Sequence, residues 1–268
     1  MIRVLVNGFR GRMGTQVVQA VVGADDMEVV GGVEHTLDKA RPTVTLDGTS
    51  LAPAFDCLAR AIDEAAPDVI VDFTLPTVVE GNLRVALARG IDCVVGTTGL
   101  SPQKLDELIA LAPASTTLFV APNFTTGAVL MTAFAKLAAR YFPDAEVIEF
   151  HHNGKADAPS GTAANTARAI AQAQRDAGIV RSSPGRETEL AGFEGARGAA
   201  VDGVPVHAVR SNGFVAHQEV IFGSPGQTLT IRHDSIDRAS YMPGVLLAIR
   251  SVKERSGLIV GLDKLMGL

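Results

Sequence analysis

Cysteine is scarce in this chain: its 268 residues contain only Cys57 and Cys93, each beside an apolar segment. That excludes a disulfide scaffold and suits reduced, buried thiols in a cytosolic protein. Long apolar runs are missing too, and none reaches the length that spans a bilayer. The opening "MIRVLVNGFRGRMG" offers only a short apolar stretch before glycine and arginine, which is not the pattern of a secretory leader. Positive charge is in deficit, with 24 Lys and Arg against 29 Asp and Glu. A general nucleic-acid surface is therefore not expected, although a local basic pocket remains open. No internal repeat or low-complexity tract is present. What the chain does have is 47% hydrophobic and 20% charged residues, enough to bury a core in one large domain or two small ones.

The first half alternates two periodicities. "IRVLVNG", "MEVVGGVE", "DVIVDFT", "IDCVVGTTG" and "TTLFVAPNF" read as apolar strands. Between them lie helical patterns. Met13, Val17, Val18 and Val21 share one face, "FDCLARAIDEAA" and "TVVEGNLRVALARG" follow, and Ser101 caps a helix with Pro102 at its first position. Strands this apolar are buried on both faces, which predicts an α/β fold with a Rossmann-type parallel sheet. After Asn123 the rhythm changes. A long helix, the strand "AEVIEFHH" and the helix "TAANTARAIAQAQRDAG" precede a Gly-, Arg- and Ser-rich segment, 178–203, that reads as an exposed loop. "FVAHQEVIFG" and "QTLTIRHDS", parted by "SPG", read as a hairpin. The expected division is an α/β domain at 1–123 plus 235–268 and an α+β domain at 124–234; the family resemblance given below assigns dinucleotide binding to the first, and substrate binding and oligomerisation to the second. Residues 36–55 are assigned no role.

"VLVNGFRGRMG" places Gly8, Gly11 and Gly14 between the first strand and the first helix. Such glycines permit a tight turn and let backbone amides at a helix start approach a pyrophosphate. Glu34 closes the second strand, where an acid can accept from the adenosine ribose hydroxyls. It should repel a 2′-phosphate, favouring NADH over NADPH, although His35 and Arg12 could offset this. The tips "VGTTG" and "APNF" end the fourth and fifth strands, at the sheet edge where ligands bind in open α/β folds.

The densest chemistry is "HHNGKADAPSGTA", His151 to Ala163. On a strand, Glu149 and His151 share one side and His152 faces the other. Lys155 follows in a turn and could fold back toward either ring. Ser160 is a good helix cap, and the first turn at Gly161 and Thr162 offers amides to a carboxylate or phosphate. Two imidazoles, an ammonium and a helix start suit an anionic ligand and proton transfer near neutral pH. Adjacent histidines on a strand diverge and no cysteine is near, so no metal site is expected.

"EFHHNGKADAPSGTA" closely resembles the signature of the 4-hydroxy-tetrahydrodipicolinate (dihydrodipicolinate) reductase family. "NGFRGRMG", "VDFTLP", "VVGTTG", "APNFTTGAVL" and "MPGVLLAIR" match in the same order. The resemblance implies NAD(P)H-dependent reduction of a cyclic unsaturated dicarboxylate in lysine and diaminopimelate biosynthesis, by a cytoplasmic homotetramer. It implies His151 as proton donor or acceptor, Lys155 as second catalytic residue, and His152, Ser160, Gly161 and Thr162 at the substrate. Gly8, Phe9, Arg10, Gly11, Arg12, Met13, Glu34, Gly96, Thr97, Thr98, Ala121, Pro122, Asn123 and Phe124 match its nucleotide-binding segments. Where some relatives carry an arginine for the 2′-phosphate, this chain has His35. Two other readings stay open: a dehydrogenase of another small dicarboxylate, and a regulator that binds NADH without consuming it.

Overall fold

The computed structural model describes residues 1–37, 42–180 and 195–268. They divide into two compact units, Met1–Thr126 with Tyr241–Leu268, and Gly127–Ser240.

The first unit is built on β1 (Ile2–Asn7), β2 (Met27–Val33), β3 (Thr43–Leu46), β4 (Thr49–Phe55), β5 (Val69–Asp72), β6 (Asp92–Val95), β7 (Thr117–Val120) and a closing strand, Gly257–Val260. The sheet runs from the closing strand through β7, β6, β5, β1, β2 and β4 to β3, and every pair but β3 with β4 is parallel. All residues of β5, β6 and β7 are buried, as expected when helices cover both faces. Those helices include α1 (Arg12–Val22), α2 (Leu58–Ala65), α3 (Val79–Leu87) and α4 (Pro102–Ile109), joined by Met242–Val252 from the end of the chain. Val17, Val18 and Val21 of α1 are buried, the face the periodicity predicts. Ser101 caps α4, its side chain accepting from the Lys104 amide at 3.2 Å. β1 pairs with β2 on one side and β5 on the other, so strand order reverses there and opens a crevice at the carboxyl ends of the strands.

One segment gains a structure and one expectation needs correcting. The segment given no role contains an antiparallel β3–β4 hairpin, turned by Asp47 (φ 49°) and Gly48 (φ 80°), the left-handed pair that a type I′ turn requires. Residues 38–41 of that segment lie outside the described residues. Cys57 is exposed, because it occupies the cap position before α2 while Leu58 turns inward; Cys93, within β6, is buried.

In the second unit, β8 (Asp144–His151), β9 (Ala199–Val201), β10 (Val204–Arg210), β11 (Ala216–Ser224) and β12 (Gln227–Ser235) lie in the order β12-β11-β8-β10-β9. β8 and β10 are parallel, and the other neighbours are antiparallel. β11 and β12 form the predicted hairpin, with Gly226 at φ 81° in its turn. The segment expected as one loop thus contains β9; residues 181–194 of it lie outside the described residues. α5 (Thr126–Ala138) and α6 (Gly161–Asp176) supply Ala135, Ala163, Ala167 and Ile170 to a core with Val147, Val206, Val220 and Phe222. Alanine-rich helices let the sheet approach closely, and truncating Phe222 or Ile170 would cost about 2–5 kcal/mol. Alternation along β8 buries Ala145, Val147 and Glu149 on this face.

Candidate active site

In the first unit, Gly8 takes φ +79° directly after β1. A Cβ on Gly14 would fall 2.1 Å from the Gly8 carbonyl oxygen, so only glycine lets the start of α1 lie against the turn. Gly11 occupies the cap position and contributes no side-chain hydrogen bond. The first N–H groups of α1 therefore have neither a preceding carbonyl nor a capping side chain, and this cradle fits a pyrophosphate. Phe9 is core, while the Arg10 guanidinium lies 5.4 Å from its ring centre. Arg12 is exposed and Met13 half-buried. Glu34 is half-buried just past β2, its amide donating to Phe55 O at 2.9 Å, and His35 beside it is exposed.

The strand tips converge on a group that the sequence reading passed over. Asp72, at the end of β5, is buried and accepts from Asn7 Nδ2 (2.8 Å), Asn82 Nδ2 (2.9 Å), and Thr74 N and Oγ1 (2.9 and 2.7 Å). Thr97 Oγ1 lies 3.3 Å from it. Asp72 thereby orders the β5 and β6 tips at the crevice, and "VDFT" carried the signal. Gly96 has no room for a side chain, since a Cβ would meet the Phe73 ring at 1.9 Å. Thr98 and Pro122 are exposed and Ala121 is buried. Asn123 Oδ1 accepts from Thr125 N at 2.8 Å. Phe124 packs on Phe73 and Phe119 in the core, so Phe9 and Phe124 can offer a ligand only backbone.

In the second unit, β8 ends at His151, and the sharing of one face by Glu149 and His151 holds. Glu149 has no exposed surface, and its Oε2 meets His151 Nδ1. Its Oε1 accepts from Arg210 Nη2 at 2.8 Å and from the Ser160 amide at 3.2 Å. Burial works to raise the Glu149 pKa, but hydrogen bonds from His151 and Arg210, with their charges, outweigh it and hold the carboxyl below its ordinary range. His152 is exposed. Lys155 makes no hydrogen bond to either ring: its Nζ lies 2.7 Å from Asp157 Oδ1, the carboxylate two residues along the same turn. That pairing is the main reason the Asp157 pKa is lowered. Ser160 caps α6, its Oγ accepting from Ala163 N at 3.2 Å, an interaction worth about 0.5–2 kcal/mol. Nothing lies within 4 Å of a Cβ built on Gly161, so space is open above the first turn that Gly161 and Thr162 form.

An imidazole backed by a buried carboxylate can hold or pass a proton, and a helix start beside an ammonium can seat a carboxylate. Arg210 is the side chain of this cluster that sequence reasoning did not single out. It lies on another strand, and only the parallel pairing of β10 with β8 brings it opposite His151.

Comparison with known proteins covers both units. The family models described as dihydrodipicolinate reductase, N-terminus and C-terminus, match residues 2–124 and 127–266. A 4-hydroxy-tetrahydrodipicolinate reductase of Nocardia farcinica is 51% identical over 270 residues, covering 100% of this chain and 99% of the relative. One from Listeria monocytogenes is 46% identical over 266 residues, covering 98% and 99%. Among solved structures, the dipicolinate-bound dihydrodipicolinate reductase of Paenisporosarcina sp. TG-14 matches with a TM-score of 0.85 at 41% identity, covering 98% of this chain and 99% of that one.

Proposed function

The chain belongs to the dihydrodipicolinate reductase family and uses NAD(P)H to reduce 4-hydroxy-tetrahydrodipicolinate in lysine and diaminopimelate biosynthesis; we propose that His151 and Lys155 are the residues that carry the chemistry. The observation that supports this reading is that one carboxylate, Glu149, joins the His151 imidazole to the capped start of α6. Proton donor and anion seat are thereby parts of one hydrogen-bonded unit.

The first unit is the dinucleotide-binding domain. Gly8 to Met13 hold the pyrophosphate, Glu34 accepts from the adenosine ribose, and Gly96 to Thr98 with Ala121 to Phe124 line the nicotinamide half. Glu34 disfavours a 2′-phosphate, so NADH is preferred. The second unit binds the substrate, its carboxylates received by His152 and the Ser160, Gly161 and Thr162 turn, with Lys155 drawn from Asp157 toward the added negative charge. Loss of the 4-hydroxyl with a neighbouring ring proton, as water, leaves a conjugated ring carbon, to which a bound nicotinamide would supply a hydride with its electron pair. Electron density then moves toward the ring nitrogen, and His151 delivers one proton to the resulting enamine carbon. Solvent later restores the proton to His151. The sheet face opposite α5 and α6, together with the exposed strand β12, builds a homotetramer, and the enzyme works in the cytoplasm.

A coupled assay tests the reading. Pyruvate and aspartate semialdehyde are condensed by a dihydrodipicolinate synthase, and oxidation of NADH and NADPH is followed separately by nicotinamide absorbance. Substrate-dependent oxidation that falls at least tenfold in His151→Gln is expected, since one acid commonly contributes about 10²–10⁴-fold. A smaller fall removes His151 from the role. Sedimentation that gives a stable monomer would remove the tetramer.

A further inference from the structure

The acid assigned above is held by something the reaction does not consume. Glu149 is fully buried; among the described residues its Oε1 accepts from the Arg210 guanidinium and the Ser160 amide, and its Oε2 meets His151 Nδ1. Arg210, opposite His151 in the β10–β8 register, reaches Glu149 Oε1 at 2.8 Å and the Asp157 carbonyl at 2.7 Å through the same Nη2. The Ser160 amide adds a further donor to Oε1. A carboxylate surrounded in this way has no proton of its own to give, so the hydrogen between Glu149 and His151 belongs to Nδ1.

We propose that Glu149 is a positioning residue for proton transfer: clamped by Arg210 and Ser160, it accepts Nδ1–H of His151 and leaves Nε2 as the nitrogen that carries the transferable proton. This rests on the reading of His151 as proton donor. In the step itself, the Nε2–H bond breaks, the proton goes to the enamine carbon, and Nδ1–H stays on the ring. Glu149 remains a carboxylate throughout and stabilises the imidazolium before transfer, the division of labour seen wherever an acid orients a histidine. Among the described residues, the charged groups placed around this ring are Glu149 on its own strand, Arg210 from β10, and Asp157 with its partner Lys155 in the turn that follows; β11 places Ala216 opposite it.

Replacing Glu149 with Gln leaves one carbonyl oxygen where two stood. Arg210 and Ser160 both require it, so the amide NH₂ faces Nδ1 and removes the acceptor that keeps its hydrogen in place. E149Q should lower kcat by about 10²-fold or more with the KM for NADH within about twofold, and E149D should recover part of the loss. The double variant E149Q/H151Q should be no slower than H151Q alone, because Glu149 acts only through that ring. A kcat for E149Q within fivefold of the unmodified enzyme overturns the proposal, and so does a double variant slowed by the product of the two single effects. If H151Q itself stays within tenfold, the proton-donor reading fails first; if H151Q is slow and E149Q is not, Glu149 alone is dismissed. Histidine-selective ¹⁵N NMR on the unmodified protein needs no folded variant. A neutral His151 ring with hydrogen on Nδ1 is expected, and hydrogen on Nε2 in the neutral ring refutes the assignment.

Discussion

Lys155 Nζ and Asp157 Oδ1 stand 2.7 Å apart, so the cation proposed to meet the substrate already has a carboxylate partner two residues away. Asp157 is 58% exposed, which makes the pair weak, of the order of 0–1 kcal/mol. A dianionic substrate can therefore outbid it. Asp157→Asn removes the competitor while keeping the backbone carbonyl that Arg210 uses, and should lower the KM for the dicarboxylate by about twofold or more. Lys155→Ala should reduce kcat/KM by about 10²-fold. Steady-state kinetics on both variants checks the pair, and a raised KM in Asp157→Asn would count against the exchange.

Gly14→Ala places a methyl group 2.1 Å from the Gly8 carbonyl oxygen. The turn must open, which costs about 1–3 kcal/mol and misaligns the amides at the start of α1. A lower melting temperature and a Kd for NADH raised by about tenfold are the expected results of thermal melting and fluorescence titration. Unchanged NADH binding would mean the turn serves packing alone.

In the function proposed above, cofactor choice turns on charge beside the ribose. Glu34→Gln should improve kcat/KM for NADPH relative to NADH by about tenfold, because it removes a unit of negative charge where a 2′-phosphate would sit. Rates with the two cofactors under one set of conditions give the ratio directly. An unaltered ratio would place the discrimination elsewhere.

The depressed Glu149 carboxyl links stability to pH. Its native pKa lies below the ordinary value, so its contribution is in place above the ordinary glutamate range and is lost as pH falls through the native value. Glu149→Gln has nothing to protonate there. Its melting temperature should fall less steeply between about pH 5 and pH 3 than that of the unmodified protein. Parallel slopes in calorimetry would show that the pairing contributes no such linkage.

The two thiols should separate cleanly. Cys57 is exposed, while Cys93 is fully buried and its thiol is pushed up by burial and by nearby Asp72 and Asp92. A thiol reagent should modify one cysteine rapidly in the native protein and the second only on unfolding. Peptide mapping that finds Cys93 labelled first would contradict the packing of β6.

Most of the first unit was legible because its signals are local. Strands buried on both faces read as apolar runs, and α1 shows its inward face through Val17, Val18 and Val21. The β3–β4 hairpin carried its mark in Asp47-Gly48, but its short strands lack strong alternation, and the exposure of Cys57 depends on which of two neighbours turns inward. β9 has three residues, none buried, and exists only because β10 offers it an edge.

Sequence alone determined the parallel-sheet rhythm, the glycine turn and the run from His151 to Thr162, because each is written in residues that adjoin or repeat at fixed spacing. It also placed Glu149 and His151 on one face, since a strand alternates with period two. Tertiary structure decided what those residues touch. Arg210 reaches Glu149 across 61 positions and Asn7 reaches Asp72 across 65, contacts set by strand order and register. Lys155 pairs with Asp157, because the nearest opposite charge captures an ammonium.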